Sequence, residues 1–447
     1  MEKIGFVGLG YVGLTFAAII ASQGYDVVGV DIDKEKVDSI NRGVLPIHEE
    51  GLDKYLADVV SKGLLRATTN YGDLADRDII FVAVRTPSRP DGSIDLSYVE
   101  SAARSIGEVL RDKKSYTLIA VKSTVIPGTT RRLARIIGEV SGRRPVEDYS
   151  VVSNPEFLRE GLAVRDVTNP SRIIIGETDN RGGVILEGFW KNFYHKLGRS
   201  PVILRVTAEA AETVKYASNS FLACKISFIN TIARICEHLP GCDVLDVAKG
   251  MGLDPRIGPH FLRPGLGYGG SCLPKDVKAF RAFAEELGED PYLLDSIDKV
   301  NETQPLRVVS LLEEKLGGLK GRIIVVLGAA FKPGTDDIRE SRGLLLARIL
   351  AGRGARVRLH DPNSKALENA RRVLGDTVEY ASSLEEALQG AHAAVIATDW
   401  PEYGALEPSV YTRLMERPLL YDGRRIYDPE LYSSSGVEYY AVGLGRP

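Results

Sequence analysis

Cys272 ends a permissive stretch, "GLGYGGSCLPKD", Gly265 to Asp276. Four glycines precede the thiol, and Lys275 and Asp276 follow it within four residues. Pro274 favours the first turn of a helix, which places Cys272 at a helix N-terminus. The positive end of the helix dipole and the nearby Lys275 both favour a thiolate there. The upstream glycines would let a substrate approach closely. Such a thiol suits a nucleophile. The same local residues also suit a buried cysteine in a turn.

A second chemical signal opens the chain. In "KIGFVGLGYVGLTFAAIIASQGYDVVGVDID", Gly8, Gly10 and Gly13 form G-x-G-x-x-G between a strand, Lys3–Val7, and an apolar helix, Leu14–Ser22. A second strand, Val27–Val30, ends at Asp31. A lone glycine fingerprint is weak evidence. Here a strand precedes it, a helix follows, and an acid stands about twenty residues on, which is the confirming context. The turn Gly8–Gly13, including Tyr11 and Val12, would bring backbone amides to a pyrophosphate at the helix N-terminus. Asp31 would accept the ribose hydroxyls and repel a 2′-phosphate, so NAD is expected over NADP.

These residues need a scaffold. Further strands read at Ile79–Val84, Tyr116–Val121 and Val151–Ser153, with Thr86 and Thr124 just past two of them. In an open α/β sheet ligands sit beyond the carboxyl ends of the strands, so both loops are candidates to touch a ligand; ordinary turn chemistry explains them equally well. From Thr207 to Leu239 there is neither Gly nor Pro. That predicts a helix of ~50 Å, a spine between lobes or a dimer interface, with Lys215 and Asn219 on one face. A second strand–turn–helix–strand pattern begins at Arg322 and ends at Asp361, with the second and third glycines out of register. Ala393–Thr398 and Leu419–Tyr421 supply more strands, and Glu313–Arg322 reads as a linker. The expected fold is α/β: two doubly wound lobes joined by a long central helix and an all-α region. The expected domains are 1–203, 204–312 and 313–447.

Composition bounds the class. The chain has 447 residues, 44% hydrophobic and 26% charged, with a formal net charge of −3. That describes a globular protein of two or three domains and argues against a general nucleic-acid binder. The cysteines at 224, 236, 242 and 272 show neither metal spacing nor a disulfide framework. Cys224 and Cys236 read as small buried hydrophobes. No apolar run reaches membrane-spanning length, and residues 1–13 read as strand and turn rather than a signal peptide. A cytoplasmic location is expected. Only three methionines, four cysteines and abundant charge lean toward a thermophilic source.

Taken together, "GFVGLGYVG", "STVIPGTT", "SNPEFLREG", "VKYASNSFLACKISFIN", "PGLGYGGSCLPKD", "AAFKPGTDDIRES" and "YDGRRIYD" resemble the UDP-glucose/GDP-mannose dehydrogenase family, in the family's order and over essentially the whole length. The lobes are then Rossmann-like. The resemblance implies oxidation of a C6 hydroxymethyl group to a carboxylate with two NAD, through a thiohemiacetal and a thioester on Cys272. It implies that Lys215 and Asn219 stabilise the oxygen at C6. Asp276 would position water and serve general-base chemistry. Glu156 would serve thioester hydrolysis, with Thr124 close by; which acid takes the first proton stays open. Glu160, Lys275, Arg339, Thr86 and Thr124 would lie at the cofactor. Phe157, Leu158, Phe261, Leu262, Gly265, Gly269, Phe331, Lys332 and Arg424 would line the nucleotide sugar. Arg256 would reach the neighbouring subunit's sugar, which implies a homodimer or higher homo-oligomer. No metal is implied.

The expected substrate is UDP-glucose. GDP-mannose and UDP-N-acetylhexosamines are the alternatives, and Leu273, where many UDP-glucose enzymes carry Phe, leans toward the GDP-mannose pattern. A two-lobe reductase of the 3-hydroxyacyl or 6-phosphogluconate type is a different reading; it would yield one NADH per product instead of two. A non-catalytic NAD-responsive protein is a third, and Cys272 and Lys215 speak against it.

Overall fold

A computed structural model describes residues 2–47 and 49–445. The chain divides into two compact units between Ser218 and Asn219.

The first unit is built on eight strands: β1 (Ile4–Val7), β2 (Val27–Val30), β3 (Leu65–Thr68), β4 (Ile79–Val82), β5 (Thr117–Val121), β6 (Tyr149–Ser153), β7 (Ile173–Glu177) and β8 (Ile203–Thr207). Their order is β3-β2-β1-β4-β5-β6-β7-β8, and neighbours run parallel except β6 and β7. The central strands "IGFV" and "IIFV" are buried at every residue, as expected when helices cover both faces of a sheet. An aromatic cluster of Phe6, Phe16, Phe81, Phe189, Trp190 and Phe193 fills the core beside them.

The fingerprint helix starts at Tyr11, one turn earlier than the apolar pattern indicated. Gly10 is its N-cap in extended geometry, and the first intrahelical bond runs from Leu14 N to Gly10 O, 2.9 Å. The free amides of the first turn therefore belong to the glycine turn itself.

The second unit has six strands, all parallel to their neighbours: β9 (Ile323–Leu327), β10 (Arg356–His360), β11 (Glu379–Tyr380), β12 (Ala393–Ile396), β13 (Leu419–Asp422) and β14 (Glu438–Ala441), in the order β11-β10-β9-β12-β13-β14. Its first strand and helix repeat the packing of β1. Gly8 (φ +91°) and Gly328 (φ +124°) leave their strands in a backbone conformation that favours glycine. A Cβ on Gly13 would lie 1.8 Å from Gly8 O, and a Cβ on Gly343 would lie 2.1 Å from Gly328 O. Gly343 thus fills the third-glycine role, displaced along the sequence by the loop Ala329–Ser341. That loop is why the spacing looked lost.

The predicted spine is one helix, Ala208–Cys236, of 29 residues. It stops three residues short of Leu239, where Cys236 bonds to Cys242 across a turn containing Pro240 and Gly241. Cys236 is therefore a disulfide partner and not a lone hydrophobe, although it is buried as expected. The expected linker also shifts. Glu313–Leu316 continue the helix Tyr292–Leu316, and the chain leaves it at Gly317, in left-handed geometry. Leu312 and Leu316 are buried in the second unit's core.

The Gly343 contact is testable. Gly343→Ala should cost about 1–3 kcal/mol through overpacking, read as a lower denaturant midpoint. A change within about 0.5 kcal/mol, the range of an ordinary surface substitution, would contradict the close packing.

Candidate active site

The glycine turn after β1 is shaped for a ligand as well as for packing. Protein atoms crowd the Cβ positions of Gly8 and Gly13, whereas nothing lies within 4 Å of a Cβ built on Gly10. The middle glycine is thus not required by the chain's own atoms. Asp31, 7% exposed, accepts from Leu9 N (2.8 Å) and Asp33 N (3.0 Å) and pairs with Lys36 Nζ (3.0 Å). Its carboxylate is held at the end of β2, where a dinucleotide's ribose belongs. An open glycine turn, an uncapped helix start and a fixed acid together fit a dinucleotide cofactor. Lys36 had no part in the sequence reading.

Tyr11 and Val12 separate in role. Val12 packs against the core. The Tyr11 hydroxyl donates to Glu49 and accepts from Gly161 N (2.9 Å). Burial and the Glu49 carboxylate raise the phenol well above its ordinary value. Glu49, 4% exposed, also accepts from Gly161 N (2.8 Å) and Ala163 N (2.7 Å). This acid ties the cofactor turn to the far end of "NPEFLREG", and no local motif announced it.

Thr86 and Thr124 meet: Thr86 Oγ1 donates to the Thr124 carbonyl (2.9 Å). The Thr124 loop is anchored by a second unannounced acid. Glu212 accepts from Gly128 N (2.7 Å), Thr130 N (2.7 Å) and Thr130 Oγ1 (2.6 Å). Burial raises its carboxyl to about 7 against these hydrogen bonds. Its signal was spacing, since Glu212, Lys215 and Asn219 recur on one helix face.

Lys215, 4% exposed, donates to the Glu156 carbonyl (2.7 Å) and to its Oε1 (3.1 Å). Glu156 Oε2 accepts from Leu158 N (2.5 Å), which closes the turn. Phe157 carries the Arg172 guanidinium over its ring at 3.9 Å and the Lys215 ammonium at 5.3 Å. Lys215 and Glu156 thus form a buried donor–acceptor pair able to steady charge on an oxygen and to handle a proton. Glu160 lies in the same loop, partly buried.

In the second unit Cys272 is the N-cap of the helix Leu273–Glu286, with Pro274 in its first turn. The residue is exposed, and Ser271 Oγ lies 3.6 Å from its sulfur. Asp276, 1% exposed, accepts from Asn219 Nδ2 (2.6 Å) and Lys275 Nζ (2.5 Å). The glycines before the thiol have a packing reason as well. A Cβ on Gly267 would lie 2.5 Å from Asn301 Oδ1, on Gly269 2.4 Å from Glu340 O, and on Gly270 2.7 Å from Phe331 Cε2. The loop is thin because the protein's own atoms press on it. Asn230 Oδ1 accepts from Gly265 N (2.8 Å); Asn301 bonds both the amide (2.7 Å) and the carbonyl (3.1 Å) of Tyr268.

The other expected substrate contacts fall into two groups. Phe331, Gly265, Gly269 and Arg424 share this neighbourhood: Arg424 would meet a Cβ on Gly265 at 3.0 Å. Lys332 lies 5.4 Å from the Phe331 ring centre. Asp399 holds Arg424 (2.9 Å) and Arg263 (2.9 Å) together. Leu262 is instead buried in the core, and Phe261 is 39% exposed with φ 63°. Arg256 and Arg339 are exposed and paired with Asp254 and Asp337 (2.6 Å each). Asp361 repeats the place of Asp31 after β10, but Trp400 Nε1 donates to its carboxylate (3.2 Å) together with two loop amides. Among the described residues no group of three or more metal-ligating side chains is present, and no helix is long and apolar enough to cross a membrane.

A dinucleotide turn in one doubly wound lobe and an exposed thiol at a helix N-terminus in the other unit define a two-lobe nucleotide-dependent dehydrogenase. The comparisons specify it further. Residues 2–194 match the NAD binding domain of the UDP-glucose/GDP-mannose dehydrogenase family, 209–303 its central domain and 325–429 its UDP binding domain. The chain is 45% identical over 428 residues to the UDP-glucose 6-dehydrogenase AglM of Haloferax volcanii, covering 95% of this chain and 97% of the relative. It is 42% identical over 443 residues to the UDP-glucose 6-dehydrogenase YwqF of Bacillus subtilis, covering 99% and 97%. A solved UDP-glucose dehydrogenase from the hyperthermophilic archaeon Pyrobaculum islandicum superposes with a TM-score of 0.90 at 43% identity, covering 99% of this chain and 98% of that one. The chain belongs to the UDP-glucose/GDP-mannose dehydrogenase family, and it is an NAD-dependent oxidoreductase.

Asp31 should set the choice between NAD and NADP. Asp31→Ala leaves Lys36 facing the ribose, so NAD binding should weaken by at least about tenfold, ~1.4 kcal/mol, while NADP binding improves. Titration of both cofactors checks this; a wild-type protein that prefers NADP would contradict the ribose assignment.

Proposed function

We propose that the protein oxidises the C6 hydroxymethyl group of UDP-glucose to a carboxylate in two successive steps, with Cys272 as the covalent nucleophile. The observation that carries this reading is the exposed thiol at the N-cap of Leu273–Glu286, in a chain similar over its full length to UDP-glucose 6-dehydrogenases. NAD, when bound, supplies the hydride acceptor for each oxidation. The residues Gly8–Gly13 and Asp31 hold the pyrophosphate and ribose, with Thr86, Glu160, Lys275 and Arg339 as further contacts.

The chain's own groups divide the work. Lys215 and Asn219 stand one helical turn apart and stabilise negative charge at the C6 oxygen, a preorganised effect of large catalytic weight. The Cys272 thiolate adds to the aldehyde carbon and forms a C–S bond. A second oxidation converts this thiohemiacetal to a thioester. Glu156, with Thr124 nearby, then takes a proton from water, the hydroxide oxygen bonds to C6, the C–S bond breaks and the thiolate leaves. Overall one hydroxymethyl group, one water and two NAD+ give a carboxylate, two NADH and three protons. Asp276, held by Asn219 and Lys275, positions those two donors. Phe331, Lys332, Arg424 and the Gly265–Gly269 loop receive the nucleotide sugar, with Phe157 and Leu158 along the sugar. The three domains 1–203, 204–312 and 313–447 then carry cofactor, thiol and nucleotide respectively.

The functional assembly in this reading is a homodimer. Phe221 (65% exposed), Phe228 (47%) and Ile235 (52%) recur at seven-residue intervals on the spine helix and form one apolar stripe. Ile229, next to Phe228 on the same helix, is fully buried and outside that stripe. Two-fold pairing of the stripes buries them and brings Arg256 into the partner's substrate site.

Cys272→Ser should still bind UDP-glucose and NAD yet lose acid formation by several orders of magnitude, because an alkoxide leaves less readily than a thiolate. Full turnover by Cys272→Ala, with two NADH per sugar, would remove the covalent mechanism. Arg256→Ala and Cys272→Ala are each expected to be inactive, and mixing them with subunit exchange should restore part of the activity. Demonstrated exchange without recovery would sink the trans assignment of Arg256.

A further inference from the structure

Lys122 lies at the carboxyl end of β5, immediately before the Thr124 loop, and is 3% exposed. Its ammonium donates to the carbonyl (3.3 Å) and Oδ1 (3.1 Å) of Asn154. Its remaining surroundings are rings: Phe16 at 4.0 Å from the nitrogen, Trp190 at 5.3 Å and Phe81 at 5.9 Å. No carboxylate among the described residues lies within ion-pair distance of it. A buried, unpaired ammonium costs several kcal/mol, and a methionine would fill the same aromatic cage without that cost.

The neighbour it grips is two residues from Glu156. Asn154 is fixed on every side: its Nδ2 donates to the Ile174 carbonyl (2.8 Å), its Oδ1 also accepts from Trp190 Nε1 (3.2 Å), and its amide donates to Val121 O (2.8 Å). The Asn154–Pro155–Glu156 turn is therefore anchored from behind by Lys122 and met from the front by Lys215, which bonds the Glu156 carbonyl. The charged groups facing Lys122 are Glu156, from its turn, and Lys215, from the spine helix; the fingerprint helix, β4 and the helix Asn180–Lys196 present aromatic rings.

We infer that Lys122 is a positioning residue for thioester hydrolysis: its ammonium grips Asn154 and so fixes the turn that presents Glu156. This rests on the proposed role of Glu156. Burial pushes Lys122 down to about 7, opposed by Glu156 and reinforced by Lys215. The group therefore changes charge near neutrality, and it responds to the same two residues that act on the sugar.

The test follows decay of the covalent adduct against pH. The full enzyme is mixed with UDP-glucose and excess NAD, quenched in acid, and the protein-bound sugar is measured by intact mass. Lys122→Met removes the charge and the bond to Asn154; Lys122→Gln removes the charge and keeps a donor for Asn154. Lys122→Met should slow adduct decay roughly tenfold at every pH, and Lys122→Gln, which keeps a donor for Asn154, should restore most of the wild-type rate. KM for UDP-glucose and NAD should stay unchanged. In a Glu156→Gln background, Lys122→Met should have no further effect. A wild-type decay rate for Lys122→Met overturns the inference, as does a defect in Lys122→Gln equal to that in Lys122→Met. If Lys122→Met does not fold, Lys122→Leu takes its place in the comparison with Lys122→Gln. If Glu156→Gln itself hydrolyses the adduct at the wild-type rate, the role of Glu156 fails instead.

Discussion

The arrangement depends on one buried contact, the Lys215 ammonium held by both the carbonyl and the carboxylate of Glu156. Both side chains are almost inaccessible, at 5% and 9%. In such surroundings a charge is tolerated only when it is paired and hydrogen-bonded, and removing one partner strands the other at a cost of about 3–5 kcal/mol. The surrounding structure serves this contact from both sides. Asn154, Lys122 and Trp190 fix the turn that carries Glu156. Glu212, three residues before Lys215, joins the spine helix to the loop after β5. Lys215 therefore arrives with little freedom to lose, which is what preorganised charge stabilisation requires.

The two lobes show how one packing solution serves two ends. Gly8 with Gly13, and Gly328 with Gly343, bring a helix N-terminus against the end of a central strand. Asp31 and Asp361 then cap the second strand by accepting amides from the turn. The lobes differ in what remains open. Among the described residues Asp31 has Lys36 as its side-chain hydrogen-bond partner, whereas Trp400 closes over Asp361. In the second lobe the nearby cation is Arg424, braced by Asp399 at the end of the next strand. The repeat is thus one of backbone geometry, and the side chains beside the two aspartates differ.

Local signals were legible in the sequence where function and backbone need the same residue. The fingerprint glycines, Asp31 and the helix start beside Cys272 could be read because spacing alone fixes them. The spine helix was legible because thirty residues without Gly or Pro leave few alternatives. Partners distant in sequence were not. Glu49 meets Gly161, Asp399 meets Arg424, and Asn301 meets Tyr268. Nothing in their own neighbourhoods marks them, since only the tertiary fold brings them together. The glycines before Cys272 were visible, but the packing demand on them was not, because the atoms pressing on them come from Asn301, Glu340 and Phe331. Gly343 was missed because a loop separates it from its strand, and Cys236 because its partner lies across a short turn.

The central claim is that carbon leaves this site only after bonding to Cys272. Peptide mapping of the enzyme quenched in acid during steady turnover with UDP-glucose and NAD tests it most directly. The account predicts that the peptide holding Cys272 carries the oxidised sugar nucleotide as an acyl group, removed by hydroxylamine and absent when NAD is omitted. An unmodified Cys272 peptide, recovered while two NADH form per sugar, would contradict it.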